Sequence, residues 1–160
     1  MTDQNEITES RVDRVHTILT RLIAESGLDA VVTRVEPDNV DIALEITGTD
    51  AGLLVGQHGQ ALEALQYLLT LASAKYGRGE RIRISLDADR YRARRNETLV
   101  KFAHALADQV LAHGEEAVTD PLNPAERRVI HTALAGRGDV CTYSEGVEPN
   151  RYMVISPKGE

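Results

Sequence analysis

The 160-residue chain reads as an α+β protein built of two small modules. Three observations predict this. Apolar residues recur at three- and four-residue spacing in several segments, as on one face of a helix, while others alternate strictly, as in a half-buried strand. A Gly-x-x-Gly sequence, Gly56 to Gly59, lies between two of the helix-spaced segments. The composition, 42 % apolar but only 4 % aromatic and without Trp, suits one or two small cores better than one large enzyme.

The elements follow in order. Val12, Val15, Ile18, Leu19, Leu22 and Ile23 describe a helix that Gly27 ends. Asp29 to Val35 is Val-rich, and Val40, Ile42, Leu44 and Ile46 alternate with Asp41, Ala43 and Glu45; with Pro37-Asp38-Asn39 as the turn, this predicts a hairpin with one buried face. A short helix from Asp50 to Val55 leads into the glycine loop. Ala61, Leu65, Leu68, Leu69 and Ala72 place a helix after it, stopped by Gly77 and Gly79. Ile82, Ile84 and Leu86 alternate with Arg81, Arg83 and Ser85, which predicts a strand with a basic outer face. This order, helix-strand-strand-helix-loop-helix-strand, is that of a type II KH domain.

A long helix is expected from Asp89 to Gly114, burying Leu99, Phe102, Ala103, Leu106 and Val110 and exposing Arg90, Arg94 and Lys101 on a common side. Asp120 to Pro124 reads as a turn, Ala125 to Ala135 as a helix closed by Gly136. Val140–Glu145 and Arg151–Ser156 complete a hairpin. The expected domains are therefore residues 8–87 and 88–157.

Two glycines three apart permit a sharp turn at positive φ and remove side chains that would hold a sugar-phosphate strand away. Gly56, Gln57, His58, Gly59 and Gln60 are thus candidates for gripping single-stranded nucleic acid. The formal charge of −7 opposes this only until it is located. Through Asp50 there are four Arg and no Lys against eleven carboxylates; the rest of the chain is balanced. Between Arg78 and Lys101 eight basic residues, including Arg94 and Arg95, face Glu80, Asp87, Asp89 and Glu97.

A second constellation is Glu126-Arg127-Arg128-Val129-Ile130-His131. Arg127 and His131, four apart, fall one above the other on a helix, and together suit a phosphate: Arg as a planar fork, His as a further donor or a ring for stacking. The competing reading is structural, with Arg127 paired to a carboxylate and His131 capping an apolar seam.

Together these segments resemble the Jag (SpoIIIJ-associated) family of KhpB-type bacterial proteins. The resemblance rests on Asp50 to Gln60, Ala64-Leu65-Gln66-Tyr67-Leu68, Tyr91-Arg92-Ala93-Arg94-Arg95, Asn123 to Leu134 and Tyr143 to Arg151, and spans residues 8 to 157. It implies a type II KH domain followed by a small α/β R-three-H (Arg-x-x-x-His) domain, with Arg127 and His131 as the naming pair and Arg128 beside them. It implies single-stranded RNA as ligand, a role in post-transcriptional regulation, a link to envelope growth or cell shape, and a small KH protein as partner. Single-stranded DNA and a homodimer stay open as alternatives. Two departures qualify the carry-over. The family usually has Lys or Arg inside the glycine loop where this chain has Gln57 and His58, and many members carry an additional N-terminal domain, whereas only Met1 to Ile7 precedes the expected first helix.

The rival class is a protein-interaction module in which the glycine loop and apolar helices form a dimer seam and the acidic first 50 residues dock a basic partner. An enzyme is the weakest reading. Asp87 and Asp89 suit a helix N-cap beside Arg90 better than a carboxylate pair, His104 and His113 lack a third metal ligand, and Ser144 has no His nearby in sequence. No cofactor is expected. The single Cys141, the lack of a secretory signal and the absence of a long unbroken apolar run point to a cytoplasmic chain without a transmembrane segment.

Overall fold

The computed structural model of the chain describes residues 2–75 and 82–159, with side chains from Arg11 onward other than that of Lys75. Two compact units divide between Arg92 and Ala93. The expected helix stops Gly77 and Gly79 and the arginines Arg78 and Arg81 lie outside the described residues.

The first unit runs α1 (Thr2–Glu25), β1 (Val31–Val35), β2 (Ile42–Thr47), α2 (Ala51–Val55), α3 (Gln60–Lys75), β3 (Ile84–Ala88). Its sheet has the order β1-β2-β3, with β1 antiparallel and β3 parallel to β2. A parallel neighbour requires a crossover, and α2 with α3 provides it. Ile42, Leu44 and Ile46 face the core in register with Ile84, Leu86 and Ala88, and Val15, Leu19 and Ile23 of α1 and Leu62 and Leu69 of α3 cover them. The alternation in β2 and β3 is thus as expected. In the Val-rich β1, Val32 is buried, while Val31 and Val35, on the opposite face of the strand, are 61 % and 45 % exposed. The other inward position of β1, opposite Leu44, is the exposed Arg34, so the hairpin's buried face is largely that of β2.

The second unit contains α4 (Tyr91–His113) from Ala93 onward, then β4 (Ala117–Val118), α5 (Pro124–Leu134), β5 (Val140–Glu145) and β6 (Tyr152–Pro157). Its antiparallel sheet has the order β4-β6-β5. Leu99, Ala103, Ala107 and Val110 of α4 and Ile130 and Leu134 of α5 pack with Val140, Met153 and Ile155. Two expectations for α4 need correction. It begins at Tyr91 because Asp89 and Arg90 are both left-handed, at φ of 48° and 57°. Phe102 is not core; at the margin of the Leu99–Val110 stripe it is 43 % exposed, and Ala107 takes the inner position. The two-residue β4 is too short to leave a periodic signal.

Candidate nucleic-acid interface

The glycine loop lies where expected, between α2 and α3. Gly56 has φ 69° and ψ −169°, His58 is left-handed at φ 52°, and Gly59 has φ 83°. Gln57 to Gly59 form one 3-10 turn, closed by the Gln60 amide donating to the Gln57 carbonyl. Both glycines are demanded by close packing as well as by φ. A Cβ on Gly56 would lie 2.6 Å from the Ala61 Cβ, and one on Gly59 would lie 2.9 Å from Cε1 of Tyr91. Gly56, Gln57, His58 and Gln60 are exposed, but Gly59 is buried. The reading of Gly59 as an open contact is therefore corrected: it is the seat on which the Tyr91 ring rests.

In α5, the Asn123 side chain accepts from the Glu126 amide at 2.9 Å, and Glu126 Oε2 accepts from the Asn123 amide at 3.2 Å. With Pro124 at the first helical position this reciprocal cap fixes the start of the helix. Four residues after the cap, Arg127 turns inward. Its Nη1 donates to the Leu122 carbonyl at 2.6 Å and its Nη2 to Glu148 Oε1 at 2.5 Å, with the side chain 10 % exposed. His131 stays exposed, its Nδ1 2.6 Å from Thr142 Oγ1. The expected open Arg127–His131 pair is thus corrected to an ion pair between buried Arg127 and half-exposed Glu148 and a solvent-facing imidazole, which is the structural alternative for Arg127. Arg128 and His131, three apart and both exposed, occupy one side of α5.

The KhpA/KhpB KH-domain model matches residues 12–86, and the R-three-H domain model matches residues 97–157. The chain is 41 % identical over 120 residues to the RNA-binding protein KhpB of Clostridium symbiosum, covering 75 % of this chain and 54 % of that one. It is 38 % identical over 138 residues to the KhpB of Bacillus subtilis, 85 % and 66 % of the two chains, and 34 % identical over 148 residues to that of Lactiplantibacillus plantarum, 92 % and 45 %. The chain belongs to the KhpB (Jag) type of KH/R-three-H proteins. It spans between about half and two thirds of the length of these relatives.

The remaining basic candidates of the R-three-H unit divide by their partners. Arg95 is an internal tie, its Nε donating to Glu126 Oε1 at 2.7 Å with Glu126 only 8 % exposed; its expected place on a binding face is corrected accordingly. Arg94 and Lys101 are exposed on α4, seven residues and hence about two turns apart. In the KH unit, Arg92 donates to the Leu86 carbonyl and to Gln66 Oε1, while Arg83 and Arg90 are exposed.

Sequence reasoning missed three residues that shape the KH and R-three-H sites. Tyr91 floors the glycine loop, Glu126 joins the α5 cap to Arg95, and Glu148 closes Arg127. Glu126 was legible, since Asn-Pro-x-Glu is a capping-box spelling. Leu53, 67 % exposed on α2 three residues before Gly56, is an apolar ledge beside the KH loop that periodicity alone does not single out. Among the described residues no group of His, Cys, Asp and Glu is arranged to hold a metal ion, and no helix is long and apolar enough to cross a membrane.

Proposed function

We propose that the chain binds single-stranded RNA, with the KH loop as its main contact and the exposed side of α5 as a second one. The observation that carries this reading is the Gly56–Gln60 turn: Gly56 and His58 are exposed at positive φ, with Gln57 and Gln60 also open to solvent at the start of α3. A phosphate can approach the Gly56 side of such a turn, and exposed Leu53 offers an apolar surface for an unstacked base. On the R-three-H unit, Arg128 and His131 take the phosphate-facing role, and Arg94 and Lys101 add positive charge on α4. The relatives' name, RNA-binding protein, supports RNA over DNA as the first ligand to test. In the cell this binding serves post-transcriptional regulation, and the family resemblance ties it to envelope growth and cell shape.

Fluorescence polarisation with a labelled single strand, the matching duplex and the DNA strand tests the proposal. Single-stranded RNA is expected to bind more tightly than duplex; equal affinity for the two overturns the groove reading. Neutralising two to four phosphates predicts a log–log salt slope of about −1.4 to −2.8 for a single strand. A flat response removes the phosphate contacts.

A second reading is favoured by α3. Ala64, Tyr67, Leu68 and Leu71 are exposed at helical spacing, the last three by 63 %, 58 % and 50 %. Such an apolar stripe suits a dimer seam with a small KH protein or a second copy. Light scattering with and without that partner tests it: Leu68→Glu is expected to abolish the association and leave the monomer folded.

A further inference from the structure

The sheet of the second unit has a face that neither RNA contact uses. Residues two apart on a strand share a side, and the register sets out what that side holds. Val118, Val154 and Tyr143 form one row across β4, β6 and β5, and Tyr152 lies opposite Glu145 in the next. Val118 is 59 % and Tyr143 44 % exposed on either side of the buried Val154, and Glu116 stands just before β4. The phenols orient the two carboxylates: Tyr143 donates to Glu116 Oε2 at 3.3 Å and Tyr152 to Glu145 Oε2 at 3.2 Å. Among the described residues neither Glu116 nor Glu145 is ion-paired.

We propose that this face docks an extended, arginine-bearing segment of a partner protein. Charge complementarity selects the occupant. Two carboxylates without a cation repel phosphate, so a nucleic-acid strand is disfavoured, whereas a guanidinium can lie flat on a tyrosine ring and donate in its own plane to a carboxylate beside it. A lysine ammonium presents no flat surface to stack, so arginine is preferred. Val118 receives the aliphatic part of such a chain, since long cationic side chains bury their stems on apolar surface.

The test uses the full chain and a labelled octapeptide of alternating arginine and serine, followed by fluorescence polarisation, with lysine and glutamate versions alongside. The arginine peptide is expected to bind several-fold more tightly than the lysine version, and the glutamate version not at all. Glu116→Gln with Glu145→Gln should weaken binding at least tenfold at unchanged melting temperature, and Tyr143→Leu should remove the preference for arginine over lysine. The charge-matched control Glu36→Gln with Asp38→Asn, on an exposed loop of the other unit, should leave affinity unchanged. An equal loss in the control means attraction to net charge alone and overturns the proposal. So does a weaker affinity of the Glu116/Glu145 variant for single-stranded RNA, which would make the face a nucleic-acid surface.

Discussion

Glu148 engages Arg127 so fully that the arginine of the Arg-x-x-x-His pattern is a structural member, its fork divided between that carboxylate and the Leu122 carbonyl. Removing one partner of a largely buried charge pair leaves the other poorly compensated, although Glu148 is half exposed and recovers hydration. Arg127→Ala is therefore expected to destabilise the second unit by about 2 kcal/mol, read as a lower urea midpoint. RNA affinity of the remaining folded protein should change little. Full stability with lost binding would return Arg127 to a phosphate.

Arg128 and His131 carry the opposite expectation. Both are exposed, and neither is needed by the core that Ile130 and Leu134 build from the other side of α5. Arg128→Ala with His131→Ala should weaken binding of a single strand by about tenfold and flatten its salt slope by about 0.7 for each phosphate released. Melting should be unaltered. Unchanged affinity in this variant would confine RNA contact to the first unit.

In the glycine loop the geometry separates contact from packing. His58 already occupies a left-handed conformation in which Asp is well tolerated, so His58→Asp adds negative charge without new strain. Binding should fall at least tenfold at constant stability. Gly59→Ala meets the Tyr91 ring at 2.9 Å with φ at 83° and should cost about 1 to 3 kcal/mol. If His58→Asp binds as before, the strand does not pass over the turn.

What the sequence disclosed follows from which signals are periodic. The strands β2 and β3 and helices α3 and α5 bury one face each, so Leu44, Leu86, Leu69 and Ile130 mark their own elements. The type II KH order and the glycine loop could be read for that reason. Contacts made across long stretches of chain have no such mark. Tyr91 reaches Gly59 and Glu148 reaches Arg127 only after folding, which is why an exposed phosphate-binding arginine was expected where a closed pair exists. Spacing on α5 placed Arg127 and His131 one turn apart, but side-chain length and a carboxylate in the β5–β6 loop decided which of them meets water.

The tyrosines of the second sheet give a pH signature of their own. Negative charge on Glu145 and its hydrogen bond push the Tyr152 phenol above its ordinary value, with partial desolvation adding to the effect. For Tyr143 desolvation is the larger cause and Glu116 the next. A phenol whose ionisation is raised by folding keeps its proton while the unfolded chain loses one, so stability falls as pH rises past the unfolded value of about 10 and goes on falling until the folded phenol ionises. Glu145→Gln removes the main cause at Tyr152, so tyrosinate absorbance in this variant should begin to rise at lower pH, and the alkaline decline in the urea midpoint should become shallower. If the absorbance titration of the variant superimposes on that of the parent chain, the carboxylate does not face the phenol in solution, and the surface drawn around Tyr143 and Tyr152 has a different arrangement.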